Sequence, residues 1–333
     1  NGLIKKILFK IFLLCKNIIM IIIFIHILLL FVNADYYSWS LDRINQKYLI
    51  PDFHFFNTNH GYNTTVYVID SGFTNNTLFY DNIILTESLI DNNSTDTLGH
   101  GTHVISLISS KNYGVSKNVN IVSLKAFNET HNTTSVDLIN ALNFSKNHCF
   151  NHSNKCIINL SLELENIDED VDELLNEIYN DDFIIVVAAG NDNFNSCLKT
   201  PSHLDFVITV GSINYFDFKS SFSNYGSCVD LYTYGEFIPG LNLNNNVILK
   251  SGTSMSAPIV TGFIANLWSQ NLNLNNEEIM DIFYDEYILV TKKDLDILYT
   301  SENEYNPFLI FIPIFLSYLF IKISLFICFC NKC

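Results

Sequence analysis

The run Ile184-Ile185-Val186-Val187 offers no polar position to either face of a strand, and this restricts the fold more than any other feature of the chain. A strand wet on one side alternates apolar and polar residues. One that is apolar throughout needs cover on both faces, which a parallel sheet between two layers of helices provides. Other segments repeat the signature. Apolar and β-branched residues concentrate at 66–69, 121–127, 157–160 and 183–189. Helical stretches lie between them, after His100, at 135–147 and at 171–179, the last preceded by Asp168-Glu169-Asp170, where a helix dipole favours acid. The alternation predicts an α/β domain with a mostly parallel central sheet flanked by helices, over about residues 35–306.

The ends of the 333-residue chain differ from its middle. Lys5, Lys6, Lys10 and Lys16 precede a long apolar run at 18–32 that closes on Val32-Asn33-Ala34, which predicts a signal peptide or an N-terminal anchor over 1–34. Residues 308–329 are almost wholly apolar and long enough to span a bilayer. Glu302 and Glu304 lie before them and Lys332 after, which predicts a transmembrane helix, a short cytosolic tail at 330–333 and a lumenal or extracellular middle. The expected location is the secretory pathway or cell surface, in a single-pass membrane protein. All 34 Asp and Glu fall within 35–307, whereas six of the 18 Lys and Arg fall outside it. So acidic a middle excludes nucleic acid as the partner, because a phosphate backbone requires a basic face. Cys149, Cys156, Cys197 and Cys228 are an even set in an oxidising compartment, which favours disulfides over a metal site.

In a parallel sheet, reactive groups sit beyond the carboxyl ends of strands. The first strand ends in Val68-Ile69-Asp70-Ser71-Gly72, a carboxylate at a strand tip that by itself could equally cap the next element. Gly99-His100-Gly101-Thr102-His103 frames a histidine with glycines ahead of a helix, a frame that makes sense if something must approach the imidazole. His103 reads as structural. Ser251-Gly252-Thr253-Ser254-Met255 is a small-residue turn opening an apolar helix, where a serine is most often only a cap. Ala188-Ala189-Gly190-Asn191 ends another strand on an amide that could donate to a developing oxyanion. An acid, a glycine-framed histidine, an amide and a helix-start serine in that order are hard to assemble by accident.

These segments resemble the subtilisin-like serine proteases, whose triad runs Asp, His, Ser along the chain. The likeness is to the proteinase K-like branch, through Trp39-Ser40-Leu41-Asp42-Arg43-Ile44, Val66-Tyr67-Val68-Ile69-Asp70-Ser71-Gly72, Gly99-His100-Gly101-Thr102-His103, Ser221-Phe222-Ser223-Asn224-Tyr225-Gly226 and Gly252-Thr253-Ser254-Met255. It implies a subtilisin-like three-layer fold and a serine endopeptidase acting on polypeptides, with no cofactor required for chemistry. Ser254 would be the nucleophile, His100 the general base and acid, Asp70 the orienting carboxylate and Asn191 the oxyanion donor. The resemblance also implies a Cys197–Cys228 disulfide, leaving Cys149 with Cys156, and a structural calcium at Asp230. Substrate would lie along His131-Asn132-Thr133 and Ser161-Leu162-Glu163. Both stretches depart from the family pattern: Gly-Ser-Gly is usual at the first, and Glu163 takes the place of a glycine lining the primary specificity pocket. The inhibitory prodomain typical of the family is a further expected partner, not seen between Ala34 and Trp39. The rival reading is a catalytically impaired pseudoprotease serving as a lumenal binding ectodomain.

Overall fold

The computed structural model describes residues 39–44, 61–75, 78–79, 81–128, 133–152 and 155–286. Its first compact unit covers residues 1–292, and the second, 293–333, lies wholly outside the described residues. The stretches expected to be a signal or anchor, 1–34, and a transmembrane helix, 308–329, also lie outside them. Among the described residues no helix is long and apolar enough to cross a membrane.

Seven strands among the described residues form one sheet: β1 (Thr64–Asp70), β2 (Ile83–Ser88), β3 (Asn120–Lys125), β4 (Lys155–Leu160), β5 (Ile184–Ala188), β6 (Ile208–Ile213) and β7 (Leu231–Tyr234). Their order is β2-β3-β1-β4-β5-β6-β7, and every pairing is parallel. The continuous apolar runs behave as their composition requires, with β1 and β5 buried at every position. On one face Tyr67, Ile69, Ile158 and Ile185 pack against α3 (Ser135–His152) and α4 (Glu169–Asn180), through Leu138, Leu142, Val171, Leu175 and Ile178. On the other lie α2 (Gly101–Ser109) and α5 (Thr253–Gln270), which pack on each other and on β1. Helix α6 (Asn276–Glu286) leans on α5.

The chain leaves β1 toward β2 and β3 on one side and later adds β4 on the other, so the strand order reverses at β1. Crevices at such switch points, beyond the carboxyl ends of the strands, are where these folds hold ligands. Register places the partners there. Asp70 lies opposite Lys125, and Ile69 lies opposite Leu160, so Ser161 emerges beside Asp70.

One boundary departs from expectation. Helix α3 runs to His152 instead of ending near residue 147, because the side chains of Asn151 and His152 bond back to the carbonyls of Asn147 and His148 and sustain a further turn. The Asn-rich stretch 241–246 is the turn of a hairpin, β8 (Ile238–Leu241) with β9 (Val247–Lys250). The Asn242 carboxamide accepts from the N–H groups of Asn244 and Asn246 and closes it. At the start, α1 (Trp39–Ile44) is fastened to β7 and β8. Arg43 bonds both oxygens of Asp217 at 2.8 Å, Tyr234 donates to the same carboxylate, and the Trp39 indole donates to the Phe237 carbonyl.

Candidate active site

Asp70 is the last residue of β1 and is 1% exposed. Its Oδ1 accepts the N–H of Ser71 at 2.7 Å. His100 Nδ1 approaches both carboxylate oxygens, at 2.7 and 2.9 Å. A carboxylate can only accept, so Nδ1 carries the proton of the neutral ring and Nε2 keeps the lone pair. The tautomer needed by a base is thereby fixed.

The loop that delivers His100 is held from a residue the sequence did not single out. Asp96, 2% exposed, accepts at Oδ1 from Leu98 N, Gly99 N and Ser71 Oγ, and at Oδ2 from Thr102 N and Thr102 Oγ1, all between 2.7 and 2.9 Å. Ser71 Oγ in turn accepts from Gly101 N at 2.8 Å. The available signal was an acid four residues before His100. The glycine frame also has a cause in the backbone. Gly99 sits at φ +71°, and a Cβ on Gly101 would lie 2.3 Å from the Gly72 carbonyl oxygen. Gly101 thus lets α2 approach the turn that follows β1, and Gly99 lets the loop turn through a left-handed conformation. His103 is fully buried under the hairpin, where burial chiefly pushes its pKa down to about 3, so it stays neutral.

Ser254 stands in the first turn of α5, where backbone N–H groups have no intrahelical acceptor. The Thr253 N–H and hydroxyl both donate to Asn191 Oδ1, at 2.8 and 3.1 Å. A backbone N–H can meet only the oxygen of a carboxamide, so Nδ2 remains as the donor toward the turn. Pro258 inside α5 has no N–H for the carbonyl of Ser254, four residues back. Ser161 Oγ supplies the missing donor at 3.1 Å, while Ser254 Oγ donates to the Ser161 carbonyl at 3.2 Å. Nucleophile candidate and pocket candidate are thus reciprocally bonded.

Of the substrate positions, His131 and Asn132 lie outside the described residues. Thr133 is half-buried and its hydroxyl bonds locally to the Thr134 carbonyl. Leu162 is buried. Glu163 meets Lys199, Asp192 and Asn224, none of which sequence reasoning had placed beside it. Both expected disulfides form, Cys197–Cys228 and Cys149–Cys156. Asp230 accepts from Thr209 N at 2.8 Å, tying the start of β7 to β6. A calcium there would need further oxygens beside this one carboxylate. No group of three or more His, Cys, Asp or Glu among the described residues could hold a metal.

Residues 61–300 match the profile of the peptidase S8, or Subtilase, family. The chain belongs to this family. The subtilase is 34% identical over 235 residues to an alkaline proteinase of Hapsidospora chrysogena, a match covering 69% of this chain and 58% of that protein. It is 33% identical over 257 residues to the subtilase-type proteinase RRT12 of Saccharomyces cerevisiae, covering 70% and 51%. The subtilase therefore spans little more than half the length of these curated relatives. A crystal structure of a cold adapted subtilisin-like serine proteinase superposes with a TM-score of 0.70 at 30% identity, covering 75% of this chain and 92% of that one. The subtilisin-like α/β fold expected from the motifs is the fold observed.

Proposed function

We propose that this subtilase is a serine endopeptidase in which Ser254, His100 and Asp70 act as the triad and Asn191 as the oxyanion donor. One observation carries the reading above others: the buried Asp70 carboxylate holds His100 by Nδ1, which leaves Nε2 as the base. In the reaction Nε2 takes the Ser254 proton as Oγ attacks the scissile carbonyl. Oγ must first give up its bond to the Ser161 carbonyl. The tetrahedral oxyanion is met by Asn191 Nδ2 and the Ser254 N–H. His100 then protonates the leaving amine, and water reverses the sequence on the acyl-enzyme.

The test is to express the full chain in an oxidising secretory host and treat it with a fluorophosphonate probe beside Ser254→Ala and His100→Ala. Labelling of the wild type alone is the expected result. A folded, unlabelled wild type would return the chain to the binding-ectodomain reading.

Two finer assignments belong to the same proposal. The apolar stretches at 18–32 and 308–329 and the two disulfides support a secretory protein held in a membrane with its catalytic domain lumenal, to be tested by carbonate extraction and protease protection. A structural calcium at Asp230 is supported by its oxygen chemistry, and chelation should then lower the unfolding temperature.

A further inference from the structure

Glu163 lies against the reaction centre. Its Oε2 packs on Gly190 so closely that a Cβ on that glycine would stand 2.1 Å away. Gly190 precedes Asn191, and Glu163 follows by two residues the Ser161 carbonyl that holds Ser254 Oγ. A carboxylate thus occupies the wall next to the amide and the nucleophile, where the side chain of the residue supplying the scissile carbonyl must turn aside.

The wall is short of positive charge. Lys199 Nζ is 3.9 Å from Glu163 Oε1 and 3.7 Å from Asp192, so one cation is shared by two carboxylates. A further partner, Asn224 Nδ2, donates to Oε2 at 3.2 Å and is neutral, and Asp192 reaches Glu163 through a side-chain hydrogen bond. Burial raises the Glu163 pKa to about 7, Asp192 adds to the rise, and Lys199 only partly opposes it. An apolar side chain entering here would strip water from the carboxylate and return nothing.

Resting on the peptidase reading above, we propose that this pocket selects a cationic side chain, lysine or arginine, on the acyl side of the scissile bond, with Glu163 as its counter-ion. The incoming ammonium or guanidinium supplies the charge that the shared Lys199 leaves wanting. Acidic side chains are repelled by Glu163 and Asp192 together.

The test uses the full chain from a secretory host, its active fraction counted with the fluorophosphonate probe, and peptides that differ only in carrying Lys, Arg, Ala or Phe at that position. At pH 8, kcat/KM for Lys and Arg should exceed that for Phe on the order of ten-fold or more. In Glu163→Gln the ratio should collapse by a similar factor, and Glu163→Gly should favour Phe. Each ratio is taken within one preparation, so a misfolded fraction drops out of it. The wild-type Lys-to-Phe ratio should also climb between pH 6 and pH 8 as Glu163 ionises, whereas proton transfer at His100 affects both substrates and cancels. A labelled enzyme that prefers Phe or Ala, or whose ratio is unchanged in Glu163→Gln and flat with pH, overturns this inference and leaves the peptidase intact. A folded enzyme that takes no label overturns both.

Discussion

Asp96 illustrates how the placement of a proposed catalytic histidine can hang from a residue outside the proposed triad. Its two oxygens collect five donors, four from the loop and helix around His100 and one from Ser71 just after β1. In Asp96→Ala those buried N–H and hydroxyl groups lose their acceptor, each at about 1–3 kcal/mol. The expected loss of stability is about 3 kcal/mol or more, read from urea midpoints in a Ser254→Ala background that prevents self-digestion. In the active background kcat should fall while KM changes little, and Asp96→Asn should recover part of the loss. Asn191→Ala should lower kcat by about 10²–10³, a magnitude that comes from subtilisin itself and not from this chain. Glu163 makes a prediction of opposite sign to most carboxylates. Its folded pKa of about 7 exceeds the unfolded value of 4.5, so between those values the folded state holds the extra proton and stability falls as pH rises. Glu163→Gln should therefore match the wild type near the bottom of that window and gain about 2–3 kcal/mol by pH 8, in the same inactive background.

Among the elements, α1 is too short to stand alone and depends on what grips it. Arg43 is 2% exposed, and its replacement by Ala would leave the Asp217 carboxylate and the Tyr234 hydroxyl facing each other without a cation. A loss of about 2–3 kcal/mol is expected, measurable as a lower denaturation midpoint with kcat/KM preserved in the folded fraction. The loop from 197 to 228 is held at its ends by a disulfide, which by loop closure stabilises the fold by about 3–4 kcal/mol. Within it lie Lys199 and Asn224, two of the residues that border Glu163. Those neighbours were not legible in advance because they reach Glu163 from stretches of chain far from it in sequence, with no common spacing. The strand tip, the framed histidine and the serine turn were legible because each packs its chemistry into a few consecutive residues.

For the molecule as a whole, the parallel sheet could be read from its central strands, whose apolar runs admit no wet face. β6 could not be read that way. Thr209, Gly211 and Ser212 interrupt it, yet it is buried throughout because the polar groups of Thr209 and Ser212 are met by Ser202, Ser220 and Ser223, which lie outside the strand. The net charge of −16 belongs to this scale too. Raising ionic strength from about 10 mM to 150 mM should slow capture of cationic peptides a few-fold, in Glu163→Gln as in the wild type, because steering arises from the summed field and not from the pocket. The central strand carries one more consequence. Thr65 pairs with Asn120 and Thr64 with Lys155, so β1 can be completed only after long stretches of chain have been brought together. Such non-local topology makes folding slow, and complete unfolding has to part the same registers again. For the peptidase proposed above, survival among copies of itself is then a matter of how seldom the sheet comes undone, a clock rather than a balance.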